Sequence, residues 1–280
     1  MTSDLFSLRD RTVVLTGGYG QIGRTVGRAL LERGARVGVL EPAPDAARTA
    51  AAYPDADADR LRVYAADVTD RASLEAACAA ITSDLGAPTG LVNNAALDSP
   101  PDSDARETGP FEDYPEASWD RVMDVNVKGV FQCCQVFGAR MAASGGGSII
   151  NVASIYGTVS PDQNLYAYRR ERGEVFYKPV AYAASKSALY NLTRYVAVYW
   201  GPKNVRCNTV TFAGVFNDQD AQFLERYAPK VPLRRGPDDE ARGGMAMPDD
   251  YVGPVVYLLS PASAYMTGAD LRVDGGFLAT

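Results

Sequence analysis

The chain has 280 residues, 46% hydrophobic and 22% charged, with a formal net charge of −6. That is enough apolar material to bury a full core, while the acidic balance would repel nucleic-acid phosphates and argues against such a partner. The chain has no histidine, and its four cysteines (Cys78, Cys133, Cys134, Cys207) show neither metal-ligand nor C-x-x-C spacing, so no metal site is expected. The cysteines read as small buried hydrophobes of a reducing compartment. The N-terminus, MTSDLFSLRDR, lacks the apolar core of a signal peptide, and no apolar run reaches membrane-spanning length. A soluble, cytoplasmic protein without a membrane partner is expected.

Strand and helix patterns alternate along the chain. Strands are predicted at 12–16, 36–41, 61–66, 89–93, 147–152, 204–210 and 270–273. Helices are predicted at 21–33, 45–53, 70–85, 117–143, 179–200, 218–228 and 249–260. Several strands are continuous apolar runs (VVL, GLV, SIINV), as expected where both faces of a sheet are covered. The pattern predicts an α/β fold over residues 1–280: a doubly wound parallel sheet of about seven strands, helices on both faces, and no linker between separate domains. Three stretches resist assignment: 97–116 (Pro/Asp/Ser-rich), 157–178 (basic and aromatic) and 234–248 (charged and Gly-rich). Each follows a strand end or precedes the last helix, where ligands bind in such folds, so a converging substrate site is expected.

The first strand runs into Thr16-Gly17-Gly18-Tyr19-Gly20-Gln21-Ile22-Gly23 and then a helix. Glycines in such a turn let the backbone approach a pyrophosphate, which rests on the helix N-terminus. Further on, KPVAYAASKSALYNL places Tyr182 and Lys186 four residues apart on a helix with no Gly or Pro from Val180 to Trp200. Residues i and i+4 share a face, so phenol and ammonium can point into one cleft. A lysine cation beside a tyrosine is expected to lower the phenol pKa, giving a proton-transfer pair that needs no histidine.

With these motifs in place the chain resembles the short-chain dehydrogenase/reductases over essentially its whole length. Further matches run in order: Asp67-Val68 at the adenine side; Asn93-Asn94-Ala95-Ala96 for the family's N-N-A-G; Asn126 in DVNVKG; Ser154 in INVASIYG; Thr267-Gly268; and Val273-Asp274-Gly275-Gly276. The resemblance implies a Rossmann fold and hydride transfer between nicotinamide and a secondary alcohol or ketone. Tyr182 would be the general acid/base. Lys186 would lower its pKa and hold ribose hydroxyls. Ser154 would bind the substrate oxygen, and Asn126 would hold a water linking Lys186 to solvent. Gly17, Tyr19, Gly20, Gln21, Ile22, Gly23, Asp67, Val68, Asn94, Ala95 and Val215 would contact the coenzyme, together with Tyr182 and Lys186. Relatives pair the helices 117–143 and 179–200 across two-fold axes. Apolar positions on more than one face of these helices (Val122, Val125, Val130, Phe131, Val136, Phe137; Leu189, Leu192, Val196, Trp200) therefore imply a homodimer or homotetramer.

The chain departs from the family pattern in three places. The turn is T-G-x-x-G-x-x-G, not T-G-x-x-x-G-x-G. Ser154 and Tyr182 lie 28 positions apart because of the basic-aromatic insertion. Phe212-Ala213 replaces the usual Pro-Gly, ahead of Gly214-Val215. The combination of S-I-Y-G, a Pro- and Tyr-bearing insertion and A-Y-x-x-S-K is similar to a bacterial subgroup. Its members often sit with surface-sugar or flagellin-glycan modification genes, which implies a sugar-like substrate. Arginines of the insertion (Arg169, Arg170, Arg172) could clamp an anionic one. Glu41, at the end of the second strand, can accept bonds from ribose hydroxyls and repel a 2′-phosphate. Tyr19, Gly20, Gln21 and Pro42 stand where NADP users carry Arg or Lys, so NAD is expected over NADP. Two other readings remain: a nucleotide-sugar epimerase or dehydratase that holds NAD tightly, suggested by the glycine spacing, and a dinucleotide sensor without chemistry.

Overall fold

The computed structural model describes residues 4–54, 56–98 and 105–280. Among these residues, seven parallel strands form one sheet in the order β3-β2-β1-β4-β5-β6-β7. In chain order they are β1 (Thr12–Thr16), β2 (Arg36–Glu41), β3 (Leu61–Ala65), β4 (Gly90–Asn93), β5 (Gly147–Ser154), β6 (Val205–Phe212) and β7 (Asp270–Val273). The order reverses between β1 and β4, which opens a crevice at their carboxyl ends. The helices are α1 (Gln21–Glu32), α2 (Ala46–Ala52), α3 (Arg71–Leu85), α4 (Glu116–Met123), α5 (Val130–Ala143), α6 (Ala167–Glu171), α7 (Val180–Trp200), α8 (Ala221–Tyr227), α9 (Pro237–Ala241) and α10 (Val252–Leu259). Among the described residues no helix is long and apolar enough to cross a membrane.

Alternation along each strand explains the unbroken apolar runs. Val13, Leu15, Val37 and Val39 face one side and pack on Val26 and Leu30 of α1 and Val255 and Leu259 of α10. Val14, Leu40, Leu91 and Ile149 face the other, against Leu74 and Ile81 of α3, Phe137 and Met141 of α5 and Leu189 and Val196 of α7. Each such fully buried side chain contributes about 2 kcal/mol. All four cysteines are buried in or against this second layer.

The helix expected over 117–143 is broken. A wide π turn, Asp124–Gly129, joins α4 to α5. Propensity gives no warning of it. Its consequence is local: Asn126 turns inward and is 1% exposed, while a Cβ on Gly129 would lie 2.7 Å from Val68 Cγ2. Such turns concentrate at functional sites.

The insertion at 157–178 is ordered. A 3-10 turn (Gln163–Tyr166) leads into α6, and Leu165 and Tyr168 join Phe223 and Tyr227 of α8, Val231 and Met245 in a small third core. This satellite layer roofs the carboxyl end of β5 and β6. Sequence reading missed α6 and α9 because each has only five residues, too few to display a 3.6 period. Within the stretch 97–116, residues 99–104 lie outside the described ones. The remainder carries short 3-10 turns at Ala105–Thr108 and Phe111–Asp113.

Candidate active site

The glycine turn builds the floor of the crevice. Gly17 has φ +69, and a Cβ there would stand 3.0 Å from Ala95 Cα. A Cβ on Gly23 would stand 2.1 Å from Gly17 O, so only glycine lets α1 start this close to the strand end. No side chain caps α1 at Gly20, so its first amides are left for an anion. Asn94 laces β1 to β4: its Nδ2 donates to Thr16 O (3.0 Å) and Gly17 O (3.1 Å), while Asn94 N and Ala95 N donate to Thr16 Oγ1.

A cavity of about 570 Å³ follows this floor, lined by the turn, Glu41, Arg48, Asp67, Val68, Asn94, Ala95 and Val125. Glu41 is 8% exposed, and its Oε1 accepts the Tyr19 amide at 2.7 Å. Burial raises its carboxyl pKa; that bond, and Arg48 more weakly, oppose the rise. Asp67 Oδ1 accepts from Thr69 N and Thr69 Oγ1, which fixes the loop after β3. Uncapped amides, a carboxylate at the end of β2 and a long cleft across the switch point fit a dinucleotide.

A second cavity of about 570 Å³ shares Gln21, Ile22, Asn94 and Ala96 with the first. It is lined by Ser154 at the end of β5, Tyr182 and Lys186 on one face of α7, and Val215 beyond β6. The expected convergence of the three loops holds in part. Asp98 comes from the first, Tyr166, Tyr168, Arg169, Phe176 and Lys178 from the second, and only Met245 from the third. The charged part of that third stretch is tied elsewhere, with Arg235 bound to Asp239 and Asp250.

Phe212-Ala213 keeps the turn after β6 by other means. Phe212 stacks on Tyr251 at 3.8 Å, Tyr251 Oη donates to Ala213 O (2.9 Å), and Tyr227 Oη accepts the Gly214 amide (3.1 Å). Gln21 Nε2 then donates to Phe216 O at 2.7 Å, which anchors the segment carrying Val215 over the start of α1.

A family model described as Enoyl-(Acyl carrier protein) reductase matches residues 19–278. D-threitol dehydrogenase of Mycolicibacterium smegmatis is 31% identical over 278 residues, covering 97% of this chain and 94% of that protein. Galactitol 2-dehydrogenase of Rhizobium johnstonii is 34% identical over 273 residues, covering 97% and 96%. The chain belongs to the short-chain dehydrogenase/reductase family. Among solved structures, a short-chain dehydrogenase from Leptospira borgpetersenii with bound NAD+ is 30% identical, with a TM-score of 0.78 over 96% of this chain and 93% of that one. A chain described as an NAD(P)-dependent gluconate 5-dehydrogenase from Beutenbergia cavernae, 26% identical with a TM-score of 0.80 over 99% and 100%, holds NADP at low occupancy. The present chain is thus an oxidoreductase of the nicotinamide-dependent kind, acting on CH–OH groups.

Electrostatics in this dehydrogenase correct one expectation. Tyr182 does not have a lowered pKa. Burial pushes its phenol well above the ordinary value, the negative charge of Asp98 adds to the rise, and a hydrogen bond with Ser154 opposes it. Lys186 yields instead: it is 4% exposed, its Nζ donates to Val152 O at 2.7 Å, and burial pulls its ammonium down to about 8, with Asp98 opposing. Desolvation outweighs the nearby charges at both groups. At Asn126, Oδ1 accepts from Leu97 N (2.7 Å), and Nδ2 donates to Leu97 O (2.8 Å) and Ser185 Oγ (2.9 Å). The side chain holds the loop after β4 against α7.

Two functional candidates escaped the sequence. Arg48, in the first turn of α2 behind the cap Asp45, lays its guanidinium 4.6 Å over the Tyr19 ring, beside Glu41. The strand-end rule looks only at the residues next to Glu41; the helical return of α2 brings Arg48 back. Asp98 lay in an unassigned loop with no signal of its own.

The expected arginine clamp is also corrected. Arg169 pairs with Glu174 (2.7 Å) and covers Phe176; Arg170 donates to Phe176 O and Gln163 O; Arg172 lies 3.8 Å from Asp220. All three arginines thus have partners within the protein, Arg169 and Arg172 in half-exposed ion pairs.

Proposed function

We propose that this protein is an NAD-dependent dehydrogenase of a neutral, polyhydroxylated, sugar-like alcohol. The observation that carries the reading is charge balance in the inner cavity. Of its charged lining residues, Asp98 is paired with Lys178, Arg169 with Glu174 and Asp220 with Arg172; Lys186, whose Nζ donates to Val152 O, has no carboxylate partner among the described residues but is taken up by the coenzyme ribose in this reading, so no further cation is left on the wall for an anionic substrate. Tyr156, Tyr166, Asn217 and Gln219 add hydroxyl and amide groups and leave an aromatic wall of Phe176 and Phe223. Relatives named for threitol and galactitol point to the same chemistry. An anionic substrate is not proposed.

In this reading the uncapped amides at the start of α1, from Gln21 to Gly23, would hold the pyrophosphate, and Glu41, Asp67 and Val68 would hold the adenosine end. Asn94, Ala95 and Val215 bound the nicotinamide end, while Tyr182 and Lys186 hold the ribose beside it. When bound, nicotinamide would supply the acceptor for the hydride of the carbinol carbon and a positive charge near Tyr182. Ser154 and Tyr182 hold the carbinol oxygen, and its proton passes to the Tyr182 phenolate, leaving a ketone. Glu41 supports NAD over NADP, since a 2′-phosphate would meet a buried carboxylate; Arg48 softens that penalty. Phe131, Tyr195, Val198 and Tyr199 form an outward apolar face on α5 and α7 (Tyr195 is 67% and Val198 80% exposed), which supports a homodimer or homotetramer.

The test is a panel of tetritols, pentitols and hexitols with NAD, read as NADH released at 340 nm, alongside simple secondary alcohols and sugar acids. Net NADH from a polyol is expected. Conversion of a sugar without net NADH would instead favour an epimerase, and no turnover with intact coenzyme binding would favour a sensor.

A further inference from the structure

The strongest unexplained feature beside Tyr182 is an ion pair. Both carboxylate oxygens of Asp98, on the loop after β4, meet Lys178 Nζ, at 2.6 and 2.5 Å. Lys178 stands two residues before α7, and its side chain is only 13% exposed; that of Asp98 is 49% exposed. Lys178 Nζ lies 5.4 Å from the centre of the Tyr182 ring, as close as Lys186 Nζ at 5.7 Å. The pair lines the same cavity as Ser154 and Tyr182.

Both partners are held by dedicated contacts. Asn126 grips Leu97 through its amide and carbonyl, which fixes the residue next to Asp98. Gln163 does the same for Lys178: its Oε1 accepts Lys178 N (2.9 Å) and its Nε2 donates to Lys178 O (3.2 Å). Arg170 in turn ties Gln163 O and Phe176 O together, at 2.9 Å each. The insertion thus fixes the backbone of Lys178. Three polar side chains, Asn126 on the turn between α4 and α5 and Gln163 and Arg170 in the insertion, hold the backbone around one ion pair.

For proton transfer the pair gives little net help: its carboxylate disfavours the phenolate that must take the proton while its ammonium favours it, and a half-buried pair loses hydration that an apolar pair would not lose. Its placement makes sense if the groups bind something hydroxylic. A carboxylate accepts from a hydroxyl and an ammonium donates to one, so together they can replace both hydrogen bonds a polyol hydroxyl makes in water. Because the two charges cancel, the element recognises a neutral group.

We propose that Asp98 and Lys178 are the specificity element of the site: they bind the hydroxyl vicinal to the carbinol being oxidised, Asp98 accepting its proton side and Lys178 donating to its oxygen. The enzyme then requires a 1,2-diol and rejects a simple secondary alcohol, because the analogue leaves the pair without its hydrogen bonds. Asn126 and Gln163 act as positioning residues for it. This inference rests on the neutral-polyol reading.

The experiment compares 2,3-butanediol with 2-butanol at saturating NAD in wild type, Asp98→Asn, Lys178→Met and the double variant, with folding checked by NADH fluorescence binding. The readout is the ratio of kcat/KM for diol over monoalcohol. In each single variant the ratio is expected to fall about tenfold or more, the loss typical of a buried hydrogen-bonding group left unpaired. The double variant is expected to fall no further than the worse single one, since the two act as a unit. An unchanged ratio in both folded single variants overturns the proposal and leaves the polyol reading standing. Wild type that oxidises 2-butanol but no diol or polyol overturns both.

Discussion

Replacing Lys186 with methionine offers a direct reading of the site's electrostatics, independent of turnover. The ammonium is 4% exposed, and burial lowers its pKa from 10.5 to about 8. The sign follows from proton binding. Between these two values the unfolded chain binds more protons at this group than the native one, so stability rises with pH. The cost of burying the cation is fully present below about pH 8 and fades as pH approaches the ordinary lysine value. At about 1.4 kcal/mol per pKa unit, it is about 3 kcal/mol at pH 7 and about 1 kcal/mol at pH 10. Lys186→Met removes the ionisation and keeps most of the apolar stem. It also removes the bond to Val152 O, which costs about 1–2 kcal/mol of what is gained. Coenzyme-free urea denaturation of both proteins, from pH 7 to pH 10, should show the variant at least as stable at pH 7. The stability difference should move by about 2 kcal/mol toward wild type at pH 10. Parallel stability curves over this range would refute a buried, strained ammonium and would return Lys186 to an ordinary solvated lysine.

Tyr182→Phe keeps the ring and removes the transferable proton; kcat should fall by about a hundredfold or more with NAD binding retained, and near-native turnover would make Tyr182 structural. Since burial and Asp98 hold the phenol high, the alcohol-oxidation rate should climb with pH through the neutral range, and Asp98→Asn should move that climb to lower pH in a kcat–pH profile. NAD should bind about tenfold or more tightly than NADP by calorimetry; Glu41→Gln, which keeps an acceptor for the Tyr19 amide, should narrow that gap, and Arg48→Ala should widen it. Light scattering should give a particle of two or four chains, and Tyr195→Glu with Val198→Glu should shrink it; a 30.0 kDa wild-type particle at micromolar concentration would refute the assembly.

Local chemistry made much of this protein legible from its residues alone. Apolar runs marked the central strands β1, β4 and β5 to within two residues, because strands covered on both faces are largely apolar. The glycine turn was legible because Gly17 and Gly23 sit where a Cβ would collide with backbone. Tyr182 and Lys186 were legible because helical spacing dictates a shared face. What the sequence could not supply depends on groups distant in the chain meeting inside a low-dielectric space. The direction of the Tyr182 shift was misjudged because a pairwise view of it with Lys186 omits the burial that desolvates both and the charge of Asp98. The break at Asp124–Gly129 goes with the close approach of Gly129 to Val68, a contact across the fold that spacing along the chain does not display. The arginines of the insertion looked free because their partners, Glu174, Asp220 and backbone carbonyls, are chosen by the path of the loop. Arg48 and Asp98 reached their cavities only by the return of α2 and by the grip of Asn126 on Leu97. Spacing along a chain fixes neighbours within one element; which elements close over them, and how much water is left, is settled only when the layers pack.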